Sequence, residues 1–274
     1  MKPYFSIVIP TLNEEKYLPF LLEDLANQRE KDFEVIITDG YSKDRTGECV
    51  KVFNNELKLF FYKTKLKNVA SQRNFGAKKS RGNYIIFLDA DSRINKFFIK
   101  KVKKSVTKNK GLIFIPYFMP DKEYKQYKPL FDLGNIFVEL SQNLPKKFSL
   151  GGTMVIEKNF FHIIGGFNEE LFIAEDHELI QRASDWGVHS KFIKEAKTSF
   201  SLRRMKKEGQ IKFFYNYFIA SARRIILNEE IKKKIFEYQM GGQVYDKNAI
   251  GHKEEFLTKY INQVKGLFKR ILAD

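Results

Sequence analysis

Short apolar runs alternate with helical patterns along the first half of the chain, and this alternation limits the possible folds more than any other feature. Tyr4–Ile9, Phe33–Thr38, Leu57–Tyr62, Tyr84–Leu88 and Leu112–Pro116 are short, continuous and rich in β-branched or aromatic residues, as strands buried on both faces are. Between them, Glu15–Gln28 carries Leu18, Leu21, Leu22 and Leu25 at helical spacing, and Arg45–Phe53, Val69–Lys79 and Lys96–Lys108 also read as helices. Such a succession predicts an α/β fold, a mostly parallel sheet flanked by helices. The region Tyr117–Leu150 breaks the rhythm with Pro120, Pro129 and Pro145, and predicts an insertion over the sheet edge with a helix at Leu130–Leu140. Thr153–Ile156 resumes as a strand, and Ala174–Trp186 reads as a helix stopped by Gly187.

After about Ser201 the character changes. Ile211–Leu227 is rich in aromatic residues, and Leu257, Tyr260, Ile261, Val264, Leu267, Phe268, Ile271 and Leu272 fall on one helical stripe beside Lys259, Lys265, Lys269 and Arg270. This pattern predicts a helical C-terminal extension over residues 206–274, following a main domain at 1–205. A basic amphipathic helix suits either a membrane surface or packing on its own domain. The formal net charge of +16 fits an anionic membrane face, an anionic substrate or nucleic acid as partner. The single cysteine, Cys49, excludes an internal disulfide and fits a reducing compartment. The first ten residues hold too short an apolar run for a signal peptide, and no run reaches the ~18 apolar residues of a membrane span. The expectation is a cytoplasmic protein, either free or peripheral at the inner membrane face.

Asp89-Ala90-Asp91 directly follows the run Tyr84–Leu88. Two carboxylates at i and i+2 past the end of a parallel strand project into the crevice where open α/β sheets bind ligands. Carboxylate oxygens there suit a hard cation such as Mg²⁺ or Mn²⁺, and that cation suits a diphosphate. The turn Pro10-Thr11-Leu12-Asn13-Glu14 and Asp39 lie at two other strand ends; Asp39 can accept hydrogen bonds from a base or ribose, or serve only as a turn former. Arg73, near the start of a helix, offers a guanidinium for phosphate.

Taken in order, these elements resemble the family 2 glycosyltransferases, inverting enzymes with a GT-A fold. The resemblance covers about residues 4–205: the Ser6–Glu15 opening, Asp39-Gly40, Arg73-Asn74-Phe75-Gly76, Phe87–Asp91, Gly151-Gly152, Gly165–Glu170 and Glu175-Asp176-His177-Glu178-Leu179 with Arg182. It implies a nucleotide-diphosphate sugar donor, contacted by Pro10, Thr11, Asn13, Glu14, Asp39, Arg73, Asp89, Ala90 and Gly152. It implies a Mn²⁺ or Mg²⁺ cofactor held by Asp91 with Asp89, and Asp176 as catalytic base with Glu175 orienting acceptor or base. The chemistry agrees: one displacement needs a base for the acceptor hydroxyl and positive charge on the leaving diphosphate.

The chain also departs from the family pattern. No histidine lies between His189 and His252, where relatives complete the metal shell; Arg203 and Arg204 offer charge to the donor there instead. The Gln-x-x-Arg-Trp motif of processive members is absent, which favours transfer of a single sugar to a hydroxyl or lipid-linked acceptor. A competing reading is a non-catalytic basic module docking on anionic lipid or nucleic acid. It leaves the ordered carboxylates without a role. Nucleic acid is therefore not expected as a partner.

Overall fold

The computed structural model describes residues 2–65, 68–145, 147–149, 152–171 and 174–200. The predicted C-terminal extension and Arg203 and Arg204 lie outside the described residues, as does Gly151.

One eight-stranded sheet organises the chain. Its strands are β1 (Phe5–Thr11), β2 (Phe33–Asp39), β3 (Leu59–Lys63), β4 (Tyr84–Phe87), β5 (Ser92–Ile94), β6 (Ile113–Pro120), β7 (Met154–Glu157) and β8 (Lys191–Phe200), in the order β3-β2-β1-β4-β7-β6-β8-β5. The first four run parallel to one another. β7 is antiparallel to β4 and β6, β8 runs parallel to β6, and β5 is antiparallel to β8. Only β7 and β5 thus oppose the common direction, and the expected mostly parallel sheet is found.

The helices are α1 (Leu18–Ala26), α2 (Thr46–Lys51), α3 (Val69–Lys79), α4 (Phe98–Asn109), α5 (Lys128–Ser141), α6 (Lys158–Ile163) and α7 (Glu175–Asp185). Two apolar layers lie against the sheet, one including Leu18, Leu22, Phe98 and Val102, the other Ala70, Phe131, Phe161 and Leu179. The leucines that mark Glu15–Gln28 in the sequence are all buried in α1. That helix is shorter than its apolar pattern, because Asn13–Glu15 are drawn into the turn described below.

Differences from expectation sit where local signals are weak. β5 has only three residues and forms through pairing with β8, so nothing in its own sequence marks it. β6 continues past Pro116 to Pro120, because β8 supplies a partner across a register shift at Pro116/Tyr117. β7 pairs only with Ile113 and Phe114 of β6, which leaves a local edge beyond. The insertion covers that edge. Asn135 on α5 donates to the Phe118 carbonyl and accepts from the Phe118 amide, both at 2.9 Å, replacing the missing strand.

At the ends of the strands remote from the site, Glu34 is fully buried and accepts from the Ser6 hydroxyl (2.7 Å) and from the Arg81 backbone amide and Nε (both 2.8 Å). This knot fixes the turn between α3 and β4, and hence the direction in which β4 delivers Asp89. Close packing then seats α3 on β1. A Cβ at Gly76 would strike the Val8 side chain.

Gly76→Ala should therefore destabilise the protein by about 1–3 kcal/mol despite alanine's better helix propensity. Urea unfolding should show a lower midpoint, and Val8→Ala in the same chain should recover part of the loss.

Candidate active site

The carboxyl ends of β1, β2 and β4 are neighbours. Thr11 and Asp39 are register partners at the ends of β1 and β2, and the Leu88 amide donates to the Val8 carbonyl where β4 leaves the sheet. The turns after β1 and β2 then lock together. Asp39 accepts from the Thr11 hydroxyl (3.1 Å), the Ser42 hydroxyl and the Ser42 amide (3.0 Å). The Asn13 amide donates to Ser42 Oγ (2.7 Å), and Asn13 Oδ1 accepts from the Lys43 amide (2.8 Å). The Glu14 amide donates to Thr46 Oγ1 at 2.8 Å.

Pro10, Thr11, Glu14 and Asp39 are consequently buried, so they form the floor of these two turns rather than an open face. Asn13 and Tyr41 adopt left-handed backbone, with φ of 56° and 62°. Such conformations cost a non-glycine residue energy and persist where the surroundings over-determine them. The sequence did not single out Tyr41, a half-exposed aromatic at this rim. Only its position after Asp39-Gly40 could have flagged it.

A second cluster stands on α3. Asn68 caps that helix by accepting from the Ala70 and Ser71 amides. One turn on, the Arg73 guanidinium is buried among carboxylates. Nη2 donates to Asp89 Oδ1 and Nη1 to Glu175 Oε1, each at 2.6 Å. Its carbon lies 5.5 Å from the centre of the Phe167 ring. Gly152, at φ 67°, passes against the other side, where a Cβ would strike Nη2 and come within 3.1 Å of Asp89 Oδ2. Burial works to lower the Arg73 pKa, but the charges of Asp89, Glu175 and Asp176 outweigh it and hold the group ionised. The expectation of a free guanidinium for phosphate does not match this geometry, because both terminal nitrogens are engaged by carboxylates. Gly152 likewise serves here as room for Arg73.

The loop that supplies Phe167 is itself pinned. Asn74 exchanges hydrogen bonds with Phe167, donating to its carbonyl (2.8 Å) and accepting from its amide (2.9 Å). Glu169 accepts from Ser71 Oγ (2.6 Å) and Asn74 Nδ2 (2.9 Å). Arg182 on α7 donates to the Gly166 carbonyl (2.7 Å) and to that of Ile164. The run Gly165–Glu170 thereby fastens α7 to α3. Asn68, Asn74 and Glu169 emerge as supporting residues whose roles the sequence motif alone did not reveal.

Glu175 and Asp176 occupy the first turn of α7, behind the left-handed Ala174 (φ 65°). Both are buried. Burial and the Asp176 charge push the Glu175 carboxyl above its usual range against the pull of Arg73. Burial pushes Asp176 the same way, yet His177, Arg73, the His177 amide and the Ser149 hydroxyl prevail and hold it below the carboxylate range. His177 Nε2 stands 3.8 Å from Asp176 Oδ1, and its ring meets the edge of Phe148 at 5.5 Å.

Asp89, Arg73, Glu175 and Asp176 thus form one cluster, and Thr11, Asn13 and Asp39 form a second at the neighbouring strand ends. Ala90 is buried, and Asp91 is partly exposed two residues beyond Asp89, past the end of β4. Among the described residues no group of three or more His, Cys, Asp or Glu could by itself hold a metal ion.

Residues 6–167 match the profile of glycosyl transferase family 2. The chain belongs to that family. The poly(ribitol-phosphate) beta-N-acetylglucosaminyltransferase TarS of Staphylococcus aureus (strain MW2) is 27% identical over 190 residues, 65% of this chain and 32% of the relative. The chain therefore aligns with about a third of that protein's length. An uncharacterized glycosyltransferase of Haemophilus influenzae is 29% identical over 185 residues, 64% of this chain and 60% of the relative.

The crystal structure of TarS residues 1–349 superposes with a TM-score of 0.60 at 20% identity, covering 82% of this chain and 66% of that one. The mannosyltransferase PcManGT from Pyrobaculum calidifontis, solved with GDP-Man and Mn²⁺, superposes at 0.62 with 16% identity, covering 80% and 65%. These likenesses establish the GT-A architecture of the chain.

Arg73→Met keeps most of the volume and removes the charge. Leaving buried carboxylates without their partner should cost about 3–5 kcal/mol, toward the lower end because the Asp89 side chain is 36% exposed. In urea titrations the deficit should shrink as pH falls and the carboxylates protonate, and Glu175→Gln should restore part of it.

Proposed function

We propose that this chain is a glycosyltransferase that moves one sugar from a nucleotide-diphosphate sugar to an acceptor hydroxyl or lipid phosphate, in a single displacement that inverts the anomeric carbon. The observation that carries the reading is Arg73. Its side chain ties Asp89, just past the end of β4, to Glu175, next to Asp176, so that carboxylates for donor and acceptor belong to one site.

In this reading Asp176 takes the proton of the acceptor oxygen. That oxygen bonds to the anomeric carbon as the bond from this carbon to the diphosphate oxygen breaks, and the electron pair leaves with the nucleoside diphosphate. Asp176 is ionised, in keeping with the direction of its shift, and accepts that proton only as the acceptor oxygen bonds to carbon. Glu175 is held by Arg73 and orients the base. The floor of Pro10, Thr11, Asn13, Glu14 and Asp39 receives the nucleoside, and Ala90 and Gly152 shape the path to the sugar. Uridine and guanosine donors are both candidates, since TarS has been solved with UDP-GlcNAc and PcManGT with GDP-Man.

A divalent cation, Mg²⁺ or Mn²⁺, would be held by Asp91 together with Asp89. Such ions commonly take one or two carboxylates and fill the remaining positions with phosphate and water, so a third protein ligand is not required. When bound, it supplies positive charge to the leaving diphosphate. Asp89 lends only Oδ1 to Arg73 and is partly exposed, which leaves an oxygen for this purpose.

Calorimetry with nucleotide diphosphates and their sugars, with and without Mn²⁺, tests the reading. Asp176→Asn should bind donor nearly as the parent does and lose ~10²-fold or more in turnover, the scale of general-base catalysis. Asp91→Ala should lose the Mn²⁺-dependent part of donor affinity. Normal turnover in the first variant, or undiminished metal-dependent binding in the second, would refute the assigned role.

A further inference from the structure

His177 follows the proposed base in sequence and returns to it in space. Successive residues on a helix do not face each other. Here the imidazole Nε2 nevertheless stands 3.8 Å from Asp176 Oδ1, and the His177 amide donates to the same oxygen at 3.0 Å. The residue is only 8% exposed. Its ring and that of Phe148 stand edge to face, with 5.5 Å between centres and 82° between planes. A titratable ring is thus enclosed beside a carboxylate at the first turn of α7.

The charged groups around this pair come from three directions. On α7 itself are Glu175, held by Arg73, and Glu178, held by Arg182 at 2.7 Å. From α3 comes Arg73, whose charge reaches Asp176. The segment before β7 brings Phe148 and Ser149, neither of them charged, and Lys147, whose ammonium donates to the Leu144 carbonyl. From α5, Phe137 packs on Phe148 at 5.4 Å. An imidazole is the group that ordinarily changes charge between about pH 5 and 8. Glu175, pushed upward by burial, is the other candidate in this cluster. Burial opposes ionisation of Asp176, and the charge of His177 is the largest influence against it. A protonated imidazole at this distance makes the carboxylate a weaker base, and a neutral one leaves it stronger.

We propose that His177 is a positioning residue for Asp176 and that its charge sets the strength of that base. The amide and the ring hold the carboxylate in place. With the ring neutral, Asp176 takes the proton of the acceptor oxygen. With the ring protonated, the two form an ion pair in which the carboxylate takes that proton poorly. Turnover therefore rises as the pH rises through the titration of His177. This rests on the assignment of Asp176 as base given above.

The test follows release of nucleoside diphosphate from UDP-GlcNAc or GDP-Man by the full chain, with saturating donor and Mg²⁺ and with water as acceptor. Between about pH 8 and about pH 5.5 the unmodified protein should lose about tenfold in kcat, as expected for one imidazole that must be neutral. His177→Gln keeps a polar side chain there but carries no charge, and should lose less than about threefold over the same span. Replacing a side chain that only fills space would lower the rate equally at both ends. A second measurement does not depend on how well that variant folds. The chain has four histidines. In NMR titrations of their rings, Asp176→Asn should lower the midpoint of one and leave the other three in place, because the carboxylate favours the imidazolium beside it. No acid loss in the unmodified protein overturns the inference. So does the same loss in His177→Gln, which would then belong to Glu175, and so do four unmoved midpoints in Asp176→Asn. Normal turnover in Asp176→Asn instead strikes the assignment of the base. Turnover abolished in that variant, with the acid loss unchanged in His177→Gln, sinks only the role of the histidine.

Discussion

A single buried guanidinium holds the site together. Arg73 is one of the largest fully buried side chains among the described residues, and its two terminal nitrogens bridge Asp89 and Glu175. Burying one positive charge is unfavourable unless opposite charges and hydrogen bonds surround it. Here they come from a strand end and from the first turn of α7, residues separated widely in sequence. Phe167 on one side and Gly152 on the other complete the enclosure. Asp176, next to Glu175, takes its place from that enclosure, and His177 together with Arg73 favours its ionised form.

The rest of the architecture reads as support for it. The knot of Glu34, Ser6 and Arg81 sets β4 at one end. The packing of Gly76 on Val8 sets α3. Asn74, Glu169 and Arg182 fasten the loop that brings Phe167 over the guanidinium. Among the described residues, Asn13, Tyr41 and Ala174 are three of the four non-glycine positions with positive φ, and all three lie at turns beside the two clusters. Strain collected in one region is what a pre-shaped binding site requires of its backbone.

The sheet was legible in the sequence because parallel strands are buried on both faces and show as continuous apolar runs, as in Phe33–Asp39 and Tyr84–Phe87. β5 was not, since three residues carry no periodic signal and exist as a strand only against β8. Asp89, Asp91 and Asp176 could be picked out as acids at element ends. What the sequence could not show is which charges neutralise which. Arg73 read as a phosphate ligand because a helix-borne arginine is usually open to solvent; its burial depends on Gly152 and Phe167, both distant in the chain. Asp39 stood out as a base contact, while its hydrogen bonds to Thr11 and Ser42 show a carboxylate already occupied in holding two turns together. The segment Leu130–Leu140 read as a helix of an insertion over the sheet edge, and only the fold shows which of its apolar residues face outward.

Asp89 and Glu175 act as one electrostatic unit through the arginine between them. A double-mutant cycle on the steady-state kcat/KM for donor turnover, built from Asp89→Asn, Glu175→Gln and the pair, measures that directly. Residues sharing a partner should couple, with an interaction of about 0.5–3 kcal/mol separating the double variant from the sum of the singles. Strict additivity would mean that the two carboxylates do not communicate through Arg73, and the picture of a single joined site would fall.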